Sequence, residues 1–388
     1  MILNILIVLV SLYLLVQIWQ TLSLFRYQVY SHYKNYAGEN NQWTAISNDL
    51  PEISIWVACR NEEKNIVQCL TSLVNLKYPQ EKIQILVGND QSTDKTKDLV
   101  LTFIDSYISD TSEYNEKKAH IQLVDIVDDN SGLKAKARVM AQLDKFATGN
   151  YYLITDADVE VNQNWALGLL GSLSSNMGVA SGTTMVKSNG VWGWLQEIDW
   201  AYFMGLLNLI SFSGIPATAV GNNMIMKKEA YWETGGYGKI QFSITEDYKL
   251  YSEICKKGWK WNNVMSPEVL AFSDKIDGFI PLLHQRKRWL SGGKELPWYW
   301  WLLFGIYGLF YFVMPILLIV NMQLGLLFWL VKFCLQTIQI NKIYALLVQR
   351  KPPLTKHILY EFYMFLITIG TTIFFFLPAK TIWKERKY

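Results

Sequence analysis

The sequence predicts an α/β domain with a mostly parallel, Rossmann-like sheet, joined to one N-terminal and about three C-terminal transmembrane helices. Three observations lead to this fold class. Residues 1–25 are mostly aliphatic and carry no charged side chain. Short β-rich segments alternate with amphipathic segments from 53 to 186. After Pro297 the sequence becomes strongly apolar again.

The N-terminal segment is typical of an uncleaved membrane anchor. A helix of about 20 apolar residues spans the hydrocarbon core of a bilayer. No basic segment precedes the run and no small-residue cleavage motif follows it, which argues against a signal peptide. Arg26 and Lys34 come next, and basic residues favour the cytosolic side. We therefore expect an anchor over 1–25, a linker over 26–50 and a cytosolic domain over 51–296.

The cytosolic domain shows the pattern of a parallel sheet covered by helices on both faces. Short apolar strands alternating with amphipathic helices are typical of that architecture. Ligands of such sheets bind beyond the carboxyl ends of the strands. Strands are predicted over 53–58, 83–87, 120–127 and 151–155, and helices over 62–76 and 134–146.

Composition excludes several classes of function. The net charge of +3 does not indicate a nucleic-acid-binding protein. The four cysteines form no Cys-x-x-Cys pair and the four histidines are scattered, which argues against a disulfide framework and a zinc site. The 16 tryptophans and 22 tyrosines suit a membrane–water boundary.

Residues 191–212 have helical spacing of apolar residues but are too short in their uncharged part to cross a bilayer. Two interpretations stand with equal weight. The segment is a helix lying in the membrane interface, or it is a buried core helix.

The C-terminal region over 297–379 contains candidate spans at 301–320, 324–340 and 359–378. The link before the last span is expected on the inner side, because it is basic, with Lys342, Arg350, Lys351 and Lys356. The basic tail over 380–388 favours the inner side as well. A single crossing cannot leave both the link before it and the tail after it on the inner side. The last segment is therefore either a span, with one of these on the outer side, or a re-entrant or interfacial helix.

Asp156 and Asp158 follow the predicted strand ending at Thr155. Side chains two apart on an extended chain point the same way, so both carboxylates are expected to face one spot. Such a pair suits a hard divalent cation, Mg²⁺ or Mn²⁺. The alternative is a solvated turn after a strand.

Other polar residues also follow predicted strands or begin helices. Arg60 and Glu62 follow the first strand, and Asp90 follows the second. A carboxylate at the position of Asp90 suits a nucleoside, and the cation of Lys136 suits a diphosphate. The alternatives are helix capping near Asp90, a favourable charge at a helix N-terminus for Glu62, and a solvated lysine.

Two further motifs lie nearer the C-terminus. In Thr245-Glu246-Asp247, Asp247 is a candidate general base and Thr245 a candidate helix N-cap. In the segment ending at Trp289, Arg288 is a candidate partner for a diphosphate and Trp289 for a sugar face. A juxtamembrane basic cluster facing anionic lipid is the alternative for the second motif.

The ordered set of motifs resembles the membrane-bound family 2 glycosyltransferases, such as ceramide glucosyltransferase, hyaluronan synthase and bacterial cellulose synthase. The matching residues, in chain order, are Arg60-Asn61-Glu62, Asp90, Lys136-Ala137, Asp156 and Asp158, Thr245-Glu246-Asp247, and Gln285, Arg288 and Trp289. Two further segments also resemble the acceptor-side loops of that family, Gly221-Asn222-Asn223 and Gly235-Gly236-Tyr237.

The resemblance implies a GT-A fold and an inverting transfer from a nucleotide-sugar, with UDP as the expected nucleotide. It assigns Arg60, Glu62, Asp90 and Lys136 to the donor. It further assigns Asp156 and Asp158 to the diphosphate and metal, and Asp247 to the base. Glu246, Gln285, Arg288 and Trp289 are expected on the acceptor or diphosphate.

Because few spans follow the catalytic domain, we expect a lipid or lipid-linked acceptor. A processive polysaccharide synthase is the alternative.

Overall fold

The computed structural model describes residues 1–36, 50–109, 117–129, 131–378, 382–383 and 386–387. Residues 37–49 of the predicted linker and most of the predicted basic tail lie outside this part. The chain divides into two compact units. The sheet unit comprises 32–187 and 210–274, and the helical unit comprises 1–31, 188–209 and 275–388.

The elements alternate between helix and strand through the sheet unit and become helical after it. The helices are α1 Ile2–Tyr36, α2 Ile66–Val74, α3 Thr96–Ser109, α4 Ala135–Leu143, α5 Trp165–Gly171, α6 Gly190–Phe212, α7 Lys228–Glu233, α8 Glu246–Lys256, α9 Phe279–Gly292, α10 Trp298–Val320, α11 Met322–Leu347 and α12 Leu354–Phe376. The strands are β1 Ile53–Cys59, β2 Ile83–Asn89, β3 His120–Asp125, β4 Tyr151–Asp156, β5 Val159–Val161, β6 Met177–Ser181, β7 Thr184–Val186, β8 Asn223–Lys227, β9 Lys260–Asn263, β10 Ala271–Ser273, β11 Ile382–Trp383 and β12 Arg386–Lys387.

The sheet unit is built on a seven-stranded sheet in the order β3-β2-β1-β4-β8-β6-β9. The first four of these strands are parallel, as predicted, while β8 runs antiparallel to both β4 and β6. Strand β1 is apolar along nearly its whole length because both of its faces are covered. Its polar Ser54 is buried and donates to Gln84 Oε1 at 2.6 Å. The fold class is therefore confirmed, with a mixed rather than uniform strand direction.

The helical unit contains long apolar helices. Among the described residues, the helices Ile2–Ser31, Trp298–Val320, Met322–Leu347 and Leu354–Phe376 are long and apolar enough to cross a membrane. Helix α1 continues to Tyr36, into the predicted linker, and the end of the anchor at 25 stays a prediction. Arg26 marks where the apolar stretch ends, but polar residues continue the helical hydrogen bonding without difficulty.

A polar cluster lies inside the helical unit. The Tyr202 hydroxyl donates to Gln339 Oε1 at 2.9 Å, and Gln339 Nε2 donates to Thr21 Oγ1 at 2.8 Å. Lys332 Nζ lies 2.6 Å from both carboxylate oxygens of Glu361. Polar side chains inside helical membrane bundles find partners on neighbouring helices, and these pairs join α1, α6, α11 and α12.

Helix α6 is buried along most of its length. Glu197, Ile198, Leu207 and Asn208 are each at most 2% exposed. Only its first residues and Phe212 are exposed. Of the two interpretations of this segment, the burial supports the core helix.

The C-terminal end of α12 lies beside the N-terminal end of α10. The rings of Trp301 and Phe375 have centroids 6.5 Å apart. Lys287 Nζ, on α9, donates to the carbonyl oxygens of Phe374 and Leu377 at 3.0 and 2.6 Å. Helix α12 therefore ends near the level at which α10 begins.

Candidate active site

The carboxyl ends of β1, β2 and β4 lie at one edge of the main sheet. The parallel register pairs Ala58 of β1 with Gly88 of β2 and with Asp156 of β4. Residues that follow these strands are therefore neighbours in space, as expected for a ligand-binding edge of an α/β sheet.

The loops after β1 and β2 hold each other. Arg60 Nη1 donates to the carbonyl oxygen of Asp90 at 2.7 Å, and the Glu62 N–H donates to Thr96 Oγ1 at 2.8 Å. The Glu62 carboxylate is buried and accepts from Asn65 Nδ2 at 3.1 Å. Arg60 and Glu62 thus shape the edge beside Asp90, and their predicted contact with a nucleotide remains a prediction.

The carboxylate of Asp94 caps the N-terminus of α3. This carboxylate accepts from the Thr96 N–H at 3.0 Å. Burial tends to raise the pKa of Asp94, but the hydrogen bonds from Thr96 outweigh it and lower the pKa. The capping explanation therefore applies to Asp94.

Asp90 forms a buried ion pair with Arg138. Arg138 Nη2 lies 3.0 Å from Asp90 Oδ1, and Nη1 lies 3.2 Å from Asp128 Oδ1. Both side chains of the Asp90 pair are less than a tenth exposed. Sequence reasoning missed Arg138, because residues two apart on a helix do not share a face and Lys136 gave no reason to examine it.

Lys136 joins three parts of the site. Its Nζ lies 2.5 Å from Asp156 Oδ1, 2.7 Å from the carbonyl oxygen of Gly221 and 3.9 Å from Glu246 Oε1. Burial tends to lower the pKa of Lys136, but the attraction of Asp156 and Glu246 outweighs it and raises the pKa. The lysine is therefore a stable cation amid carboxylates, and the solvated alternative is wrong.

Asp156 and Asp158 are arranged by a turn rather than by an extended strand. Strand β4 ends at Asp156, and Ala157 and Asp158 form a turn before β5. Strict strand alternation therefore does not apply, although Ala157 is buried while both aspartates are partly exposed. The predicted geometry is corrected in this respect.

The two aspartates fit a divalent cation that retains water. No group of three or more His, Cys, Asp or Glu residues is arranged as a metal site among the described residues. Mg²⁺ commonly needs only one or two carboxylates when substrate phosphates supply further oxygens. The oxygen-only donors of Asp156 and Asp158 match that preference, and Asp156 would exchange its contact with Lys136 for such an ion.

The N-terminus of α8 presents Glu246 and Asp247. Asp247 Oδ2 accepts from the Gly221 N–H and Oδ1 accepts from the Tyr248 N–H, both at 2.8 Å. Thr245 occupies the N-cap position as predicted, but its side chain makes no capping hydrogen bond. The Thr245 N–H instead donates to Ser243 Oγ at 3.3 Å.

The other three predicted site residues lie on α9, in the helical unit. Gln285 is buried, and the Trp289 ring lies 5.4 Å from the ring of Trp200 and 4.6 Å from the Arg286 guanidinium. Trp289 is thus packed by its own unit. The proposed roles of Gln285, Arg288 and Trp289 remain predictions.

Two family profiles match the chain. "Glycosyl transferase family 2" matches residues 54–235, and "Glycosyl transferase family group 2" matches residues 152–377. The second match covers more than half of the chain, and the two together include every predicted site residue.

Curated relatives include a "Probable glycosyltransferase YdaM" of Bacillus subtilis, 23% identical over 68% of this chain and 60% of the relative. Another is a "Poly-beta-1,6-N-acetyl-D-glucosamine synthase" of Staphylococcus epidermidis, 26% identical over 63% of this chain and 55% of the relative. The chain thus spans little more than half the length of these relatives.

Among solved structures, the chain is similar to the mannosyltransferase PcManGT from Pyrobaculum calidifontis in complex with GDP-Man and Mn²⁺. The TM-score is 0.51 at 14% identity, over 94% of this chain and 98% of that one. This likeness confirms a GT-A-type fold. Together with the profile that matches most of the chain, it establishes that the chain belongs to the family 2 glycosyltransferases.

Proposed function

We propose that the protein is an inverting glycosyltransferase that moves a sugar from a UDP-sugar to a hydroxyl of a membrane lipid or lipid-linked acceptor. The convergence of Asp156 and Glu246 on the Lys136 ammonium carries this proposal. It brings the predicted diphosphate side, after β4, next to the predicted acceptor side, at the start of α8.

On the donor side, Asp90 is the proposed partner of the nucleoside, held in place by Arg138 and by the loop that Arg60 anchors. Lys136 is the proposed partner of the diphosphate, because its cation lies at the end of β4. A divalent cation held by Asp156 and Asp158 would neutralise the departing diphosphate. The resemblance to the family motif makes Arg288 a second proposed partner of the negative charge on the departing diphosphate.

Asp247 is the proposed general base. The Gly221 and Tyr248 N–H groups fix the orientation of its carboxylate, and each oxygen keeps a lone pair for the acceptor. The acceptor proton passes to Asp247 as the acceptor oxygen bonds to the anomeric carbon. The bond from that carbon to the diphosphate oxygen breaks, and the diphosphate leaves with the electron pair. A single displacement of this kind inverts the anomeric configuration.

The helical unit supports a membrane-borne acceptor, because its apolar helices are long enough to cross a bilayer. In this account the protein is an integral membrane protein with the sheet unit on the cytosolic side. A processive polysaccharide synthase is the second candidate, favoured by the relative named as a poly-N-acetylglucosamine synthase.

Product analysis distinguishes the two candidates. Membranes with the full chain are incubated with UDP-sugars and Mn²⁺, beside membranes with the Asp247→Asn variant, and the products are examined by mass spectrometry. We expect lipid carrying one or a few sugars, formed only by the wild-type protein. Long glycans from a single donor would favour the synthase, and no product from any nucleotide-sugar would overturn both.

A further inference from the structure

Tyr237 is held in place by a turn that requires glycine. Gly235 and Gly236 have φ of +83° and +66°, which favour glycine. A Cβ at Gly236 would lie 2.8 Å from the ring of Tyr231. The turn brings the Tyr237 N–H to the Tyr231 hydroxyl at 3.0 Å. The position of the Tyr237 ring is therefore set by its backbone and not by its own hydroxyl.

The Tyr237 side chain lines a shallow, open hollow beside the proposed catalytic residues. Leu133, Ala137 and Phe242 form apolar parts of its wall, and Glu246 forms a polar part. Ala137 follows Lys136 in the chain, and Glu246 precedes Asp247. The hollow thus adjoins both the donor side and the acceptor side of the site.

The Tyr237 hydroxyl has no hydrogen-bond partner among the described residues, although the side chain is only 3% exposed. The hydroxyl oxygen itself is not fully buried, so it is accessible to a ligand and can donate a hydrogen bond to it. Burial raises the pKa of Tyr237, and the nearby carboxylates of Glu246, Asp247 and Asp156 raise it further. The phenol is therefore neutral and able to donate.

We infer that the Tyr237 hydroxyl donates a hydrogen bond to an oxygen of the sugar that lies against the open side of this hollow during transfer. The inference rests on the proposed function and adds a residue that positions the sugar. The oxygen belongs either to the transferred sugar of the donor or to a sugar of the acceptor. The competing explanation is that the Tyr237 ring only packs against its neighbours, a role for which the hydroxyl is not needed.

The test compares Tyr237→Phe with Tyr231→Phe in the purified full chain. Phenylalanine keeps the ring and removes only the hydroxyl. The Tyr231 hydroxyl donates to Asp144 Oδ2 at 2.6 Å and accepts from the Tyr237 N–H, so it is a matched structural hydroxyl. We expect Tyr237→Phe to keep the thermal midpoint and to lower kcat/KM about tenfold or more. Tyr231→Phe should lower the thermal midpoint.

Binding measurements with the Tyr237→Phe variant locate the partner. Weaker binding of the UDP-sugar with unchanged binding of UDP indicates the donor sugar. Unchanged binding of both with a raised KM for acceptor indicates the acceptor sugar. Wild-type kcat/KM within twofold for every accepted donor, or a thermal loss equal to that of Tyr231→Phe, would overturn the inference and leave the proposed function standing. Absence of turnover by the wild-type protein would overturn both.

Discussion

At the scale of single residues, Gly221 lies directly against the proposed base. Its N–H donates to Asp247 Oδ2, and its carbonyl oxygen accepts from Lys136 Nζ. A Cβ at this position would lie 2.7 Å from the Asp247 Cβ. The residue therefore links the cation and the base through its backbone, and it leaves no room for a side chain.

Substitution of Gly221 should uncouple activity from stability. We expect Gly221→Ala to displace the Asp247 carboxylate and to lower kcat about 100-fold, because small misplacements of a catalytic group are costly. Gly238→Ala is the matched control, since a Cβ there meets nothing within 4 Å. Steady-state kinetics and thermal unfolding of both variants check this, and a Gly221→Ala enzyme with wild-type kcat would contradict it.

Sequence reasoning found the charged residues whose neighbours in the chain form a motif. Lys136, Asp156, Glu246 and Asp247 were identified in this way, and the structure brings them together. Arg138 was missed, because its partners Asp90 and Asp128 are set by folding and not by spacing. The turn at Asp158 was one of two interpretations of this segment, and strand alternation alone could not decide between them.

At the scale of elements, the helices of the helical unit are joined by polar pairs. Lys332 of α11 is fully buried and lies against Glu361 of α12, and Trp329 Nε1 donates to the same carboxylate at 3.0 Å. Removing one member of a buried pair leaves an unpaired charge, which costs about 3–5 kcal/mol. Replacing both members avoids that penalty.

We therefore expect Lys332→Met to lower the thermal midpoint in detergent, and the double variant Lys332→Met with Glu361→Gln to recover most of the loss. Glutamine keeps an acceptor for Trp329 and removes the charge. Thermal unfolding of the two variants beside the wild-type protein measures the difference. A double variant no more stable than the single one would contradict a coupled pair.

The parallel strands were the elements most readily predicted from sequence. Strand β1 begins at Ile53 as expected, because an apolar run covered on both faces has no other stable location. Helix α6 was ambiguous, since an apolar stripe with tryptophans is equally consistent with an interface and with a core. The antiparallel strand β8 could not be assigned to the sheet, because strand direction depends on connections far apart in the chain.

At the scale of the whole molecule, the path of α12 bears on membrane topology. With 23 residues the helix is about 34 Å long, enough to cross a bilayer. Its C-terminal end nevertheless contacts Trp301, at the start of α10, and Lys287 of α9. This supports the re-entrant or interfacial alternative, which also places the basic tail on the inner side.

We expect a tag appended after Tyr388 to lie on the same side of the membrane as Lys294, just before α10. A tag in the Asn321 link between α10 and α11 should lie on the opposite side. Labelling with a membrane-impermeant reagent before and after permeabilisation tests this. A tag after Tyr388 that labels together with the Asn321 tag would show that α12 crosses the membrane.

In the proposed mechanism, Asp156 and Asp158 at the end of β4 bind the donor, and Asp247 at the start of α8 acts as the general base. The most direct measurement is calorimetric titration of UDP with Mn²⁺ into Asp247→Asn, combined with its rate of sugar transfer. The account predicts UDP affinity equal to that of the wild-type protein and a rate at least about 100-fold lower. Transfer at the wild-type rate, or loss of UDP affinity as large as that of Asp156→Ala, would contradict it.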